Sequence, residues 1–331
     1  MQKSSEKMHY VQHEISATDI KMVIAQTNIP ILQAGQVLVK VHSFGINRAD
    51  TLQRQGKYPP PPGESDILGL EMAGHVVETF SNVTDYRIGQ QVFGLVAGGG
   101  YAEYVAVDVR HIMPIPAQCD CIQAAGIAEV FLTAYQSLFS IGQLKPKHSV
   151  LIHAGASGVG LAAIQLAKLA QCTIATTISN QQKAAACLEV GATYCILYPQ
   201  EDFVESLKSK HFAADIIIDF VGGDYLNRNL KVLSLDGKII QLAMLNGRFS
   251  DPVDIATLLR KRATIQGSTL RNRSDEYKAE LIESFSQNCL PKFDSGQLKA
   301  NIHKTFCVQQ INEAHKLLEQ NETIGKLICS W

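Results

Sequence analysis

At 331 residues, 46% hydrophobic and 18% charged, the chain has ordinary globular composition and enough length for two domains with separate cores. A formal net charge of -1 leaves no basic excess for a phosphate backbone and no block of like charge for a tail, so nucleic acid is not an expected partner. The opening MQKSSEKMHY lacks a signal peptide's apolar core and cleavage site, and no later run approaches the ~20 apolar residues that span a bilayer; a soluble cytoplasmic protein with no membrane partner is the expectation.

Residues 7 to 115 read as short extended runs separated by turn residues: VLVKVHSFGI at 37 to 46, AGHVVETF at 73 to 80, QQVFGLV at 90 to 96 and AEYVAV at 102 to 107. That texture predicts a β-barrel or sandwich. Pro59 to Pro62 and the triple glycine Gly98 to Gly100 cannot lie inside a strand or helix, and each is expected in a surface loop. Near residue 123 the pattern changes. QAAGIAEVFLTAYQSLF has helical spacing, and from Ser149 apolar strands alternate with helices: SVLIH, GLAAIQLAKLA, CTIATTI, QQKAAACLEV and TYCILY. ADIIIDFVGG at 214 to 223 and GKIIQLA at 237 to 243 continue the series, with TIQGSTL at 264 to 270 as a last strand. Alternation of this kind predicts an α/β fold with a doubly wound parallel sheet. Beyond about residue 275 come two amphipathic helices and a short apolar strand, GKLICSW, placed to return to the first domain.

The strand SVLIH runs directly into Ala154-Gly155-Ala156-Ser157-Gly158-Val159-Gly160 and then a helix, the strand, turn and helix context of a dinucleotide fingerprint. Gly155 is expected to permit the tight turn, Gly158 to clear the approach of the pyrophosphate, and Gly160 to let the helix pack on the strand. The free N–H groups of the loop, Ser157 and Val159 among its residues, and the positive end of the helix would then hold the phosphates. An NAD enzyme usually carries an acid at the end of the second strand. Here that stretch reads Thr176-Thr177-Ile178-Ser179-Asn180-Gln181-Gln182-Lys183, with no acid before Glu189. Asn180 and Lys183 suit a 2'-phosphate, so NADPH is the expected cofactor. Val221, Leu242 and Met244 end strands where switch-point geometry puts ligands.

Eight scattered cysteines, with Cys172, Cys187, Cys195 and Cys329 in apolar or helix-like surroundings, predict reduced thiols and no disulfide framework. Cys119 and Cys121 form a C-x-C pair with no second pair or nearby histidine, which is not zinc spacing. His9 and His13 share one face of a strand-like segment, too far apart to chelate.

The runs GINRADTLQRQGKYPPPPG at 45 to 63, ILGLEMAGHVVE at 67 to 78, GGGYAEY at 98 to 104, IAEVFLTAYQSL at 127 to 138 and LIHAGASGVGLAAIQLAK at 151 to 168 carry a likeness that extends nearly end to end. Together they resemble the zinc-free quinone oxidoreductases of the medium-chain dehydrogenase/reductase superfamily, most of all their tumour-suppressor-inducible branch. The resemblance implies a GroES-like β-barrel catalytic domain from residues 1–123, a Rossmann NADPH-binding domain from 124–270, and a segment from 271–331 that completes the catalytic domain. Where zinc-dependent members carry a catalytic Cys this chain has Asn47, and where they have G-H-E it has Gly69-Leu70-Glu71. Only Ala97 to Gly100 stand where they place a structural zinc lobe, so no metal is implied. Without a Lewis acid to ionise an alcohol, the implied chemistry is hydride transfer to acceptors that are already electrophilic.

By the same resemblance, Asn47 and Tyr58 line the substrate pocket as the catalytic candidates. Asn47 would donate to the acceptor oxygen, and Tyr58 would stack on a quinone or supply a proton. The alternatives are a helix-capping role for Asn47 and a loop anchor for Tyr58. Thr133, Tyr198, Ser268, Leu270 and Lys326 match cofactor-contacting positions, whereas Glu71 and Glu129 match positions with structural roles. The leading function is NADPH-dependent quinone reduction by a homodimer pairing near TIQGSTL, with a small-molecule quinone or enone as substrate. Alkenal or enoyl reduction on the same scaffold, and non-enzymatic NADPH or RNA binding, are the alternatives.

Overall fold

The computed structural model describes residues 6–15 and 20–331; residues 1–5 of the leader reading lie outside the described residues. Tertiary contacts divide the chain into two units, Met1–Leu132 with Arg271–Trp331, and Thr133–Leu270. The first dividing line falls inside a helix, Ala128–Tyr135, a few residues beyond the composition change near 123.

In the first unit, β1 (Lys7–Ile15) and β2 (Ile20–Asn28) form an antiparallel pair. The main sheet is built on β3 (Gln36–Ile46), followed by β4 (Glu71–Thr79), β5 (Gln91–Leu95), β6 (Tyr104–Asp108) and β7 (Ile112–Pro114). One edge of β3 lies along β4. The other is shared: its first half pairs with β6, while Ser43 to Ile46 pair with the chain's last strand. With partners on both sides, β3 is buried at all but three positions and reads as a nearly continuous apolar run. Val37, Val39, Val41, Phe44 and Ile46 from β3 meet Met72, Val76, Phe306 and Leu327 in one core.

The expectation of a surface loop holds for Pro59 to Pro62 and fails for the triple glycine. Gly98, Gly99 and Gly100 are buried, because backbone bonds from Gly99 to Ile67 and from Tyr101 to Leu68 draw the segment onto residues 67–69. A Cβ on Gly98 would stand 2.3 Å from the Ser65 carbonyl oxygen, so the glycines are there for close approach.

The second unit contains β8 (Ser149–Ile152), β9 (Thr173–Ile178), β10 (Tyr194–Leu197), β11 (Ala214–Asp219), β12 (Leu233–Gln241) and β13 (Thr264–Gly267). They lie in the order β10-β9-β8-β11-β12-β13, every pair parallel. Strands are added outward on one side from β8 and on the other from β11, which makes the boundary between β8 and β11 the switch point of a doubly wound fold, and Ile216, Ile217 and Ile218 of β11 are buried there. Helices Gly158–Leu169 and Gln181–Val190 make the crossovers between β8, β9 and β10. The chain then re-enters the first unit through helix Asp275–Asp294, β14 (Ile302–Cys307), helix Ile311–Glu319 and β15 (Lys326–Ser330). β15 is the strand that pairs with β3, and β14 lies parallel to it at the sheet's edge.

Replacing Gly98 with Ala is expected to cost about 1–3 kcal/mol of stability in urea unfolding, since the Ser65 backbone must move. A change under about 0.5 kcal/mol, the usual effect at a surface position, would contradict the buried placement.

Candidate active site

The second unit supplies a loop built for a dinucleotide phosphate. Ser157 caps helix Gly158–Leu169, its Oγ accepting the Gly160 N–H at 3.0 Å. Helix geometry leaves the N–H groups of Gly158 and Val159 without intrahelical acceptors, at the positive end of a twelve-residue helix. The tight turn, however, is not made by Gly155. Ala154 takes the left-handed conformation with φ 49°. Gly155 is needed for space: a Cβ there would stand 1.7 Å from Thr176 Oγ1 on β9. A Cβ on Gly160 would stand 2.5 Å from the Gly155 carbonyl oxygen, which fits its expected packing role. These side-chain-free positions form a cradle that fits a pyrophosphate.

A buried chain of hydrogen bonds that sequence reading missed stiffens the cradle from below. His153 accepts from the Thr177 hydroxyl at 2.9 Å through Nδ1 and donates through Nε2 to Asn229 Oδ1 at 2.8 Å. Asn229 donates in turn to Asp219 Oδ2 at 2.8 Å, and Asp219 Oδ1 accepts the N–H groups of Val221 and Gly222. The ends of β8, β9 and β11 are thereby tied together. Burial pushes the His153 imidazole below its ordinary pKa, which keeps it neutral.

The carboxyl ends of parallel strands fall on one edge of their sheet, and most of the expected cofactor residues are there. Asn180 follows β9, exposed, capping helix Gln181–Val190 by accepting the Lys183 N–H at 2.9 Å. Lys183 stands half-buried in the first turn, and the next acid is the exposed Glu189. Tyr198 follows β10, Val221 follows β11, and Leu242 and the exposed Met244 follow β12. Ser268 and Leu270, after β13, are buried, with Ser268 Oγ accepting from Gln136 at 2.7 Å. Thr133 is half-buried on helix Ala128–Tyr135 and is not set by a strand end.

Lys326 belongs to the first unit. It is 4% exposed, and its ammonium donates to Ile46 O at 2.9 Å, Asn47 Oδ1 at 2.7 Å and Glu71 Oε1 at 2.7 Å, which uses all three hydrogens. Asn47 occupies the capping position of helix Arg48–Arg54, and its N–H is bonded to Asp50 Oδ2 at 2.8 Å. Its side chain turns elsewhere, donating to Glu71 Oε1 at 3.0 Å while accepting from Lys326. Both amide atoms are engaged within the unit. Glu71 Oε2 accepts the Glu129 N–H at 2.9 Å, and Asp50 accepts from the Tyr101 hydroxyl at 3.0 Å.

Tyr58, the other catalytic candidate, is half-buried under the guanidinium of Arg271, whose Cζ lies 5.6 Å from the ring centroid. Burial, reinforced by Glu129, raises the Tyr58 phenol above its ordinary pKa and holds it protonated. Arg271 and Glu129 were not picked out as functional, although one follows Leu270 and the other lies in the IAEVFLTAYQSL run. Glu129 is a charge set within an apolar stretch, whereas Arg271 stands in polar sequence and carries no signal of its own.

Two family descriptions match the chain: an alcohol dehydrogenase GroES-like domain over residues 33–117 and a zinc-binding dehydrogenase over residues 158–287. Quinone oxidoreductase-like protein 2 homolog of Nematostella vectensis is 33% identical over 305 residues, covering 90% of this chain and 82% of that protein. The chain is a medium-chain dehydrogenase/reductase of the quinone oxidoreductase-like group. Synaptic vesicle membrane protein VAT-1 homolog of Danio rerio is 29% identical over 315 residues, and the chain spans 65% of its length, with 91% of this chain covered. The solved quinone oxidoreductase from Coxiella burnetii superposes with a TM-score of 0.78 at 29% identity, covering 98% of this chain and all of that one. The parallel sheet is thus the Rossmann domain and the first unit the GroES-like domain of this superfamily, whose members are oxidoreductases that bind a nicotinamide cofactor. Among the described residues no helix is long and apolar enough to cross a membrane.

The zinc in one family description does not fit these side chains. Leu70 is 2% exposed and offers no donor, and the Asn47 and Glu71 oxygens already hold the Lys326 ammonium.

Three carboxyls, Asp50, Glu71 and Glu129, interact with the two cations Lys326 and Arg271, so charge balance favours one retained proton. Burial, reinforced by Glu71, pushes Glu129 up to about 8. Burial pushes Asp50 up to about 6, and burial together with Arg54 pushes His315 down to about 3. From pH 6.5 down towards 3 the unfolded chain binds the His315 proton that the folded state refuses, so His315 favours stability that rises with pH. Asp50 and Glu129, whose folded pKa values are raised, oppose it over the same range. Above 6.5 only Glu129 among these still differs: the folded state keeps a proton the unfolded chain has lost, and stability falls as pH rises to 8. The expected fall across that window is about 2 kcal/mol. Urea unfolding at several pH values should show it, and Glu129→Gln should flatten it; an unchanged slope in the variant would place the proton elsewhere.

Proposed function

We propose that the protein is a zinc-independent NADPH:quinone oxidoreductase. The observation that carries the reading is the Gly155–Gly160 cradle beside a strand end, after β9, that offers Asn180 and Lys183 and no carboxylate before Glu189. The N–H groups of Gly158 and Val159 take the pyrophosphate, and Asn180 and Lys183 take the 2'-phosphate, a charge-assisted contact that an acidic residue would repel. Bound NADPH supplies the hydride. Tyr58, held protonated, gives a proton to the acceptor oxygen as charge builds on it, while Asn47, whose amide is engaged by Glu71 and Lys326, orders the carboxylate cluster instead of donating to the acceptor. Eight free thiols, three of them fully buried, support a reducing compartment such as the cytoplasm.

NADPH is expected to bind at least about tenfold more tightly than NADH, with Lys183→Glu removing most of the preference. Equal affinities in the wild type, by fluorescence titration, would defeat the 2'-phosphate assignment. Steady-state NADPH oxidation against ortho- and para-quinones and a set of alkenals tests the substrate class. Turnover of alkenals alone would make the protein an enoyl-type reductase, and no turnover with any acceptor would leave a nucleotide binder.

We also propose a homodimer through β13, the last strand of the sheet. All four of its residues are exposed, and Leu235, Ile255, Leu259 and Ile265 are exposed apolar side chains on it and on the neighbouring β12 and helix Ile255–Lys261. Light scattering should give twice the 36.2 kDa chain mass. Leu259→Lys with Ile265→Lys should return it to the monomer; a monomeric wild type would remove the proposal.

A further inference from the structure

Among the described residues, Arg271 is a buried cation without a carboxylate in ion-pair contact. It is 7% exposed, and two of its donors, Nε and Nη2, converge on the single carbonyl of Ala97 at 2.9 and 2.7 Å. Its third edge, Nη1, is shut off from solvent and has no hydrogen-bond partner. Leaving a charged donor unsatisfied inside a protein is costly, so the group needs an explanation. Asp50, Glu129 and Glu64 act on the guanidinium through space, yet no carboxylate is placed within ion-pair reach of it among the described residues. A donor pair fixed by Ala97, with the remaining edge open in chemistry though closed in access, is a preorganised donor for an anionic oxygen.

The segment beside it is also unusual. The Tyr58 ring lies against the guanidinium, in a segment that runs from Lys57 to Pro62 and contains four consecutive prolines. Gly56 at φ 70° and Gly63 at φ 87° bracket that segment, and a side chain at either would meet nothing within 4 Å. Prolines make the intervening piece stiff, while the two open glycines are where backbone rotation is least hindered.

The geometry points to Arg271 as the anion-binding residue of the acceptor site, covered by a Tyr58 flap hinged at Gly56 and Gly63, with preference for quinones that carry an ionised oxygen. This rests on the quinone reading above and names the acceptor class within it. Displacing Tyr58 exposes Nη1 to the ligand's oxygen while the ring stays beside the quinone plane. The same contact serves a neutral quinone only as its oxygen gains charge, so an anionic quinone is held in the ground state as well.

The probes are 2-hydroxy-1,4-naphthoquinone, which is ionised at neutral pH, and neutral 1,4-naphthoquinone. Equilibrium dialysis of the full chain with saturating NADP+ measures both without any turnover. The wild type is expected to bind the anionic probe about tenfold or more tightly than the neutral one, and Arg271→Gln to erase the difference. Arg271→Lys, which keeps the charge and loses the fork, should retain part of it. Tyr58→Ala should speed association of the anionic probe in stopped flow. Equal affinities in the wild type overturn the assignment without reference to any variant, as does an Arg271→Gln protein that melts cooperatively and keeps the preference. Selective anion binding without quinone turnover would sustain Arg271 and remove the quinone reading, whereas quinone turnover without the preference would do the reverse.

Discussion

Lys326 holds the first unit together. One ammonium on the last strand joins the end of β3, the capping position of helix Arg48–Arg54 and the first residue of β4, groups that lie more than 250 residues before it in the chain. The tie is reinforced at the next helix, where Arg54 and Gln55 both reach Glu319 and Arg48 reaches the Leu318 carbonyl. A parallel-sheet domain is inserted between the two halves, so the return of the chain after residue 270 must be specified by contacts rather than by connectivity. Breaking a buried pair such as Lys326 with Glu71 by removing one partner leaves the other charge stranded, which typically costs several kcal/mol. That penalty is also a specification: the last strand fits only where three acceptors wait for it.

The same ion pair sets the chemistry around it. With Lys326 occupying Glu71 and the Asn47 oxygen, the remaining carboxyls in the cluster have less positive charge to share, and Glu129 stays protonated while Arg271 keeps an unspent edge. Gly45 makes room for this arrangement, since a Cβ there would stand 2.1 Å from Glu71 Oε1. A zinc-dependent dehydrogenase would concentrate positive charge in a metal ion at such a place. Here the charge is divided between a lysine that is fully committed and an arginine that is not.

Much of this was legible in the sequence, and the parts that were not share a cause. The parallel sheet, its order-defining loop and the extra strand at the end were visible because periodicity and glycine spacing are local signals. Gly98 to Gly100 misled because a run of glycines marks an unusual backbone without saying whether solvent or another backbone lies beside it. Gly155 misled in the same way: its neighbour Ala154 bends the turn, and Gly155 yields space to Thr176, twenty-one positions later. The motif NRADTLQRQ was readable as a family likeness and only the fold shows its use, since Arg48, Arg54 and Gln55 reach helix Ile311–Glu319 or the residues just after it. Arg271, in a polar stretch, and Glu129, in an apolar one, are charges whose meaning depends on which other charges arrive nearby, and no spacing rule carries that.

The division of labour follows from these placements. On the function proposed above, phosphate recognition would rely on backbone N–H groups and a helix end, which keep their orientation whatever the side chains do, with the His153, Asn229 and Asp219 chain tying the strand ends beneath them. On the same proposed function, acceptor chemistry would rely on side chains whose charge is set by neighbours: a protonated glutamic acid and an arginine with one unpaired edge. Neutral quinones and enones offer little for a cation to hold before hydride arrives and a full oxyanion afterwards. On that proposal, a buried guanidinium that is costly to leave unpaired would interact more strongly with the reduced acceptor than with the oxidised one, a difference that favours reduction.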